Sequence, residues 1–350
     1  MSTDAYVRLA DALDRLPNGF PRTESGVELE ILKRIFTPEE AEIASKLGRN
    51  MESYIDISTR VGIENEEAKT KLSEMAKKRQ LWTNDKDETP HYRLAPWIVG
   101  IYEAQVKTMD HEFAHLVEEY LHDGGMEGLM KPLPSIHRVV PAQSAVKSEW
   151  ILPYDDVKAV ISSSKSFHVS DCICRKQQDF IGRKCDFPLD ICLSYSSLER
   201  APRKGDISKD EALALLDKAE KIGLVHTVSN VMEGLWYVCN CCGCCCGLLR
   251  GTAEFGIENS VAQANYYGVV DEWECNGCGV CEKRCHMKAI SIKDGLAVVD
   301  KDKCIGCGLC VTGCSTGAAR LELKPENERI DPPIDFSTWE NERLKNRGLA

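Results

Sequence analysis

The sequence predicts a multidomain α+β protein with a helical N-terminal part, a cysteine-rich mixed middle part and a small C-terminal part containing repeated cysteines. Three observations support this fold class. All 18 cysteines of the 350-residue chain lie from Cys172 onward, apolar residues recur at helical spacing before them, and one cysteine pattern occurs twice near the C-terminus. The predicted domains are residues 1–125, 126–267 and 268–323, followed by a polar tail at 324–350.

The composition favours a cytoplasmic redox or metal protein. The chain has a formal net charge of −11, which disfavours nucleic acid and suits docking to basic patches on redox partner proteins. Residues 1–15 are rich in charge, and the most apolar stretch, Ala95 to Val106, contains Glu103, so we expect neither an export signal nor membrane insertion. In a long chain without an export signal, many cysteines indicate metal binding rather than a disulfide scaffold.

The cysteine-free part is predicted to consist of helices and one hairpin. Thr37-Pro38-Glu39-Glu40 is a capping box, which marks the start of the third helix. The predicted helices are Asp4–Leu16, Val27–Ile35, Thr37–Leu47, Met51–Val61, Glu66–Arg79 and Trp97–Leu121. Strands at Gln80–Thr83 and His91–Leu94 are expected to pair across a polar turn. Three helices followed by a hairpin, over about Val27 to Pro96, resemble a winged helix-turn-helix domain.

The middle part has mixed patterning. Residues 136–140 are predicted to form a strand and residues 155–161 a short helix. The clearest helix begins at the capping box Ser208-Lys209-Asp210-Glu211 and ends at Gly223.

The repeated pattern is Cys275-x2-Cys278-x2-Cys281-x3-Cys285, followed by Cys304-x2-Cys307-x2-Cys310-x3-Cys314. Two-residue gaps let one tight loop place three thiolates around a [4Fe–4S] cube, and the fourth cysteine of each run ligates the other cube. The expected ligands of cluster one are Cys275, Cys278, Cys281 and Cys314, and those of cluster two are Cys304, Cys307, Cys310 and Cys285. A hairpin at Ile290–Lys293 and Leu296–Val299 should separate the runs. Positive φ angles are expected at Gly277, Gly279, Gly306 and Gly308.

Residues 268–323 therefore resemble the bacterial two-[4Fe–4S] ferredoxins along nearly their whole length. The resemblance implies two [4Fe–4S] clusters and one-electron transfer. The alternative is a pair of zinc sites, which also use paired cysteines. The chain departs from the family pattern after each fourth cysteine, where His286 and Ser315 replace the usual proline and each provides a backbone N–H.

Ten further cysteines form two groups in the middle part. The first group is Cys172, Cys174, Cys185 and Cys192, and the second is Cys239, Cys241, Cys242, Cys244, Cys245 and Cys246. Ten thiols exceed the four that one cube needs, so several must face different surroundings. We expect at least one additional iron–sulfur cluster, with the first group as its favoured ligands. The second group could lend a ligand, bind another cluster or act as a dithiol.

Three alternatives remain for these ten cysteines: a structural zinc site, buried thiols that act as small apolar groups, and a site with a histidine ligand. His168 and His226 lie near the two groups, although a lone histidine is more often a packing residue. Arg175, Lys176, Arg183 and Lys184 would lower thiol pKa values and favour thiolates for either metal.

The order of these parts resembles multidomain 4Fe–4S ferredoxin-type proteins of anaerobic microbes. The predicted function is an iron–sulfur electron-transfer protein or redox-enzyme subunit, that is, an electron-transfer component of an oxidoreductase rather than a stand-alone enzyme. The alternative is an iron–sulfur redox-sensing winged-helix transcription regulator. Against this alternative, residues 1–110 contain 16 basic and 20 acidic residues, whereas DNA binding requires phosphate neutralisation. A third possibility is a catalytic subunit with an open iron site. The sequence contains no GxGxxG loop after a strand, so nothing in it supports a flavin or nicotinamide site.

Overall fold

The computed structural model describes residues 2–84 and 89–350. The protein is a mixed α+β chain with a helical N-terminal part, a cysteine-rich sheet in the middle and a small C-terminal cysteine domain. Its contacts define two compact units, of which the first comprises Met1–Pro132, Lys176–Arg183 and Arg343–Ala350, and the second comprises Leu133–Arg175 and Lys184–Glu342. Within the described residues, no helix is both long and apolar enough to cross a bilayer.

The first unit is mainly helical. Its helices are α1 (Ser2–Asp14), α2 (Val27–Ile35), α3 (Pro38–Ser45), α4 (Tyr54–Val61), α5 (Asn65–Lys77), α6 (Tyr102–Ala104), α7 (His111–Tyr120) and α8 (Met126–Met130). The capping box predicted for α3 is confirmed, since the Thr37 hydroxyl accepts from the Glu40 amide and the Glu40 carboxylate accepts from the Thr37 amide. Phe20 packs on Trp97 and Tyr120, with ring centroids 5.1 and 5.0 Å away, and these rings lie in the buried core.

One strand before α4 and two strands after α5 form a three-stranded antiparallel sheet. Strands β1 (Glu52–Ser53), β2 (Leu81–Asn84) and β3 (His91–Leu94) are ordered β1-β3-β2. The predicted hairpin is confirmed by the β2–β3 pairing, and residues 85–88 of its turn lie outside the described residues. Strand β1 occupies the start of the segment for which a helix from Met51 was predicted. The helix α4 begins later because the Ser53 side chain caps it by accepting from the Asp56 amide.

The single helix predicted from Trp97 to Leu121 is wrong. Ile98 and Val99 have non-helical φ/ψ angles, which interrupt the helical conformation before α6. A second break precedes α7, where Asp110 adopts an extended conformation and its carboxylate accepts from the Phe113 amide at 2.8 Å. The apolar spacing continues across both breaks, so the periodicity did not reveal the Asp110 cap.

The middle of the second unit is an antiparallel six-stranded sheet. Its strands are β4 (His137–Val140), β5 (Ser166–Asp171), β6 (Asp190–Ser196), β7 (Asp206–Ile207), β8 (Val225–Ser229) and β9 (Tyr237–Cys241), in the order β4-β8-β9-β6-β5-β7. The accompanying helices are α9 (Val157–Ser163), α10 (Ile173–Phe180), α11 (Lys209–Ile222) and α12 (Gly247–Ala253). The predicted start and end of α11 are confirmed by the Ser208–Glu211 capping box and by Gly223 at φ 94°.

Apolar residues of two helices and of the central strands form the core on one face of this sheet. Ala212 and Leu216 of α11 and Ile161 of α9 pack against Leu193 and Val238 of the central strands. This packing fixes α11 beside the ends of β8 and β9, where the middle cysteines lie.

The C-terminal cysteine segment folds as two small antiparallel ladders. Strand β10 (Tyr266–Val270) pairs with β13 (Ala319–Leu323), and the predicted hairpin is formed by β11 (Ile290–Lys293) and β12 (Leu296–Val299). Short helices α13 (Val280–Arg284) and α14 (Leu309–Thr312) follow the two cysteine loops. Beyond Leu323, the polar tail contains α15 (Phe336–Asn346), which the sequence analysis did not identify.

Candidate iron–sulfur and thiolate sites

The first cysteine-lined cavity lies between β10, β12, α14 and β13. It is lined by the sulfur-bearing residues Cys285, Cys304, Cys307 and Cys310. The rest of its lining is mostly apolar and includes Ile290, Val299, Ile305, Leu309 and Leu321. Cys304 and Cys307 precede α14, Cys310 lies in α14, and Cys285 directly follows α13. The structure therefore brings together the four residues expected around cluster two.

The second cavity is the counterpart of the first. It is lined by Cys275, Cys278, Cys281 and Cys314. Cys275 and Cys278 precede α13, Cys281 lies in α13, and Cys314 follows α14. Ile292 and Ala297 of the hairpin cover the cavity, together with Val280. These are the four residues expected around cluster one.

The glycines of the two loops have the conformations that the sequence predicts. The φ angles of Gly277, Gly279, Gly306 and Gly308 are all positive, between 64° and 75°. A Cβ on Gly277 would overlap the Gly295 carbonyl oxygen in the β11–β12 turn, so the loop and the turn touch through backbone alone. Glycine is required there by both the φ angle and the close approach.

Burial dominates the electrostatics of the first cavity. It raises the pKa of Cys310 to about 12 and also raises the pKa values of Cys307 and Cys285. These thiols are therefore neutral near pH 7 until a metal displaces their protons. The Ala289 amide donates to the Cys285 sulfur at 3.2 Å, a contact of the kind that tunes cluster thiolates. In the second cavity, the Ala319 amide donates to the Cys314 sulfur at 3.4 Å.

A third set of cysteines lies in the middle region. The sulfur atoms of Cys185, Cys242, Cys244 and Cys245 all lie within 4.8 Å of one another, a spacing that could hold a metal. We call these residues the four-thiol group. The turn after β9 supplies three of them, and the loop after α10 supplies Cys185.

The other six middle cysteines lie near one another. Each thiol shifts the pKa of two neighbouring thiols of the set, and these pairs form a closed loop in the order Cys172, Cys174, Cys246, Cys241, Cys239 and Cys192. We call these residues the six-thiol ring. Within the described chain, the ring and the four-thiol group together account for all ten middle cysteines.

This division differs from the favoured set of Cys172, Cys174, Cys185 and Cys192. Three of those residues lie in the six-thiol ring, whereas Cys185 lies with the four-thiol group. The reason is the alternation of side chains in and after β9, which sends Cys239 and Cys241 to one side and Cys242 to the other. The sequence analysis did anticipate that adjacent cysteines would face different surroundings.

Arg175 lies between the two thiol sets. The residue is 3% exposed, and its terminal nitrogens donate to the carbonyls of Pro188 and Asn240 at 3.0 and 2.8 Å. Among the described residues, no hydrogen-bond acceptor is found for its Nε. The Cys244 and Cys245 thiols and then Arg175 lower the pKa of Cys242, although burial opposes this shift. Arg175, one of the four basic residues expected near the thiols, thus lowers the pKa of a thiol as predicted.

His286 connects the dicluster segment to the four-thiol group. Its Nδ1 accepts from the Gly243 amide at 3.2 Å, and its Nε2 donates to the Gly223 carbonyl at 2.7 Å. His286 follows Cys285 in the chain, and Gly243 lies between Cys242 and Cys244. The sequence analysis considered only the backbone N–H of His286 and missed the role of its side chain, which no local spacing signals.

The two histidines considered as ligands are engaged elsewhere. His168 Nδ1 lies 3.0 Å from an Asp206 carboxylate oxygen. His226 Nδ1 lies 2.6 Å from the Asn240 side-chain oxygen, and its Nε2 lies 3.4 Å from Glu220. Both make packing contacts in the sheet and belong to neither of the two thiol sets.

Comparison with known families assigns one part of the chain. Residues 274–318 match the 4Fe-4S dicluster domain family, which implies two [4Fe–4S] clusters. The matched segment contains both cysteine-lined cavities, except for a few residues at their rims. No curated protein sequence matches the chain.

Proposed function

We propose that this chain is an iron–sulfur electron-transfer protein, acting as a carrier or as the electron-transfer subunit of an oxidoreductase. The observation that supports this most directly is the pair of four-cysteine cavities within the segment that matches a 4Fe-4S dicluster domain. When bound, such clusters supply reversible one-electron transfer.

The proposed ligand sets follow the two cavities. Cluster one is held by Cys275, Cys278, Cys281 and Cys314, and cluster two by Cys304, Cys307, Cys310 and Cys285. The chain contributes thiolates and backbone amides directed at sulfur, and its apolar cavity walls exclude water. The donor set is all sulfur, which suits iron–sulfur clusters.

A further metal centre at the four-thiol group extends this proposal. Cys285 and His286 are adjacent in the chain, and the His286 imidazole is hydrogen-bonded to Gly243 between two cysteines of the four-thiol group. In this proposal, electrons pass between the dicluster segment and the four-thiol group through Cys285, His286 and Gly243. The same imidazole is fixed on its other side by Gly223 at the end of α11, which holds the link in place.

A second contact anchors the dicluster segment beside the link. Arg284 donates to the carbonyls of Glu220 and Lys221 at 2.8 and 3.1 Å, and to the Leu309 carbonyl at 2.9 Å. One guanidinium thus joins α13, α14 and the end of α11. This arrangement supports a fixed separation between the cluster cavities and the middle thiols, as a relay requires.

The proposed partners are redox proteins with basic docking patches, because the chain carries a net charge of −11. The proposal includes no nucleic-acid partner.

The test is anaerobic purification of the full chain, followed by iron and sulfide analysis and a potentiometric titration monitored by EPR. We expect iron and sulfide of at least two cubanes, and reversible one-electron signals from both. A folded protein that contains zinc and takes up no iron and sulfide on reconstitution would overturn the assignment.

A redox-sensing transcription regulator is the second candidate function, and one observation favours it. Helices α3, α4 and α5 occupy this part of the chain together with a three-stranded sheet of order β1-β3-β2, and we propose that residues 27–96 form a winged-helix-like fold. The charge distribution disfavours DNA binding. On α5, Lys71 pairs with Glu39 and Glu67. Lys78, which follows α5, pairs with Glu40.

A further inference from the structure

We propose that the six-thiol ring binds a polynuclear iron–sulfur centre that is separate from both the dicluster and the four-thiol group. Of the ten middle thiols, four form the compact four-thiol group, and the other six form the ring. The ring is the larger set, and its six sulfurs come from four separate segments of the chain.

The sheet topology builds the ring at one edge of the middle region. Cys239 and Cys241 lie two residues apart on β9, so their side chains share one face of the strand. Strands β6 and β9 pair at Leu193 and Val238, which places Cys192 beside Cys239 across the ladder. The segment that leaves β5 and starts α10 supplies Cys172 and Cys174, and Cys246 directly precedes α12. Three of these residues, Cys172, Cys241 and Cys246, are buried.

The spacing of the ring sulfurs does not match a single metal ion. A tetrahedral ion with metal–sulfur bonds of about 2.3 Å holds its sulfurs about 3.8 Å apart. The four-thiol group satisfies this spacing, since its sulfurs lie mutually within 4.8 Å, whereas no three ring sulfurs of the described chain do so. The eight dicluster cysteines, all of which are described, do not do so either, although their segment matches a cluster-binding family. The ring therefore has the wider spread typical of a centre with several metal atoms.

The charge near the ring supports an anionic occupant. Arg175 is almost fully buried, and its oxygen partners are two backbone carbonyls, which carry no net charge. A buried guanidinium without an anion is strongly destabilising. Its neighbours include Cys172 and Cys241 of the ring and Cys242 of the four-thiol group. A thiolate-ligated metal centre on either side would supply the negative charge that balances Arg175.

The donor chemistry identifies the class of centre. The ring offers six sulfurs and no imidazole or carboxylate, a soft donor set that selects iron–sulfur clusters and thiophilic metals. Its surroundings include the buried apolar residues Ile191 and Leu224, which would keep water away from sulfide. This centre is independent of the proposed electron-transfer function, because the dicluster can be loaded whether or not the ring is.

The experiment compares two double variants of the full chain, each purified without oxygen. Cys174→Ala with Cys246→Ala breaks the ring at two adjacent positions, and Cys244→Ala with Cys245→Ala removes half of the four-thiol group as the matched control. We expect the ring variant to lose both iron and acid-labile sulfide relative to the wild type, with the dicluster EPR signals retained. The control should lose metal without sulfide.

A ring variant with wild-type iron and sulfide would overturn the proposal. If that variant does not fold, the sulfide content of the control variant decides. Sulfide above the amount that two cubanes contain, retained when the four-thiol group is broken, supports a cluster in the ring. Sulfide equal to that of two cubanes, or disulfides between ring cysteines in the freshly isolated protein, contradicts it.

Discussion

The His286 imidazole joins the dicluster segment to Gly243, which lies between Cys242 and Cys244. Replacing His286 with alanine removes the bonds to Gly243 and Gly223 and leaves Cys285 intact. We expect the spectrum and metal content of the four-thiol group to change and electron exchange between the two regions to slow, while both cubanes remain. Magnetic circular dichroism with rapid-freeze EPR measures both effects.

The matched control for this prediction is His168→Ala. His168 is also half-buried and bonded to a neighbour, Asp206, but it lies on β5 rather than beside the turn that carries Gly243. If both alanine variants altered the middle centre equally, the effect would reflect general loss of packing, and the proposed link through His286 would fail.

Each dicluster cysteine belongs to one cavity, so single substitutions should be separable. Cys278→Ala removes a sulfur from the second cavity, and Cys307→Ala removes one from the first. An iron corner without its thiolate is lost or converted, so each variant should lose or convert a different cubane. EPR of the reduced proteins identifies the surviving cluster, and circular dichroism should show the helical content preserved. Loss of both clusters in each variant would contradict independent ligand sets.

At the scale of elements, the β11–β12 hairpin supports the loop of cluster one. In Gly277→Ala, the new Cβ would overlap the Gly295 carbonyl oxygen, so the turn must move. We expect selective loss of cluster one, measured as a fall in iron content with the cluster-two EPR signal retained.

Gly295→Ala is the matched control, because Gly295 also has a positive φ angle, 80°, but a Cβ there meets nothing within 4 Å. Both substitutions carry the backbone strain of about 1–2 kcal/mol for a left-handed alanine. Only Gly277→Ala adds the clash. Equal iron loss in the two variants would mean that strain in the hairpin, and not the close approach, controls the site.

Helix caps and the hairpin turn were predictable from the sequence, because each depends on residues that are close along the chain. The capping boxes at Thr37 and Ser208 and the hairpin at Asp294-Gly295 each depend on residues within one or two turns of chain. The grouping of the middle cysteines was not predictable in this way. Cys185 joins cysteines far along the chain because folding brings the loop after α10 to the turn after β9. The spacing of cysteines along the chain does not indicate that contact.

At the scale of the whole molecule, the negative net charge leads to a prediction about the proposed redox partner. The net charge of −11 predicts that association with a basic redox partner speeds up as ionic strength falls. Stopped-flow measurement of electron exchange with a cationic protein acceptor, at several salt concentrations, tests this. An acidic acceptor of similar potential serves as the control, and its rate should rise with salt.

The same charge balance leads to a prediction about DNA. Specific binding draws much of its affinity from lysine and arginine residues that neutralise phosphates, yet Lys71 and Lys78 are paired with carboxylates. Helix α5 itself begins with acidic residues, Glu66 and Glu67. We therefore expect no sequence-selective binding of the full chain to promoter DNA from its source at physiological salt, measured by fluorescence anisotropy with both reduced and oxidised protein. Nanomolar, salt-sensitive and sequence-selective binding in either redox state would instead establish the regulator as the function of this chain.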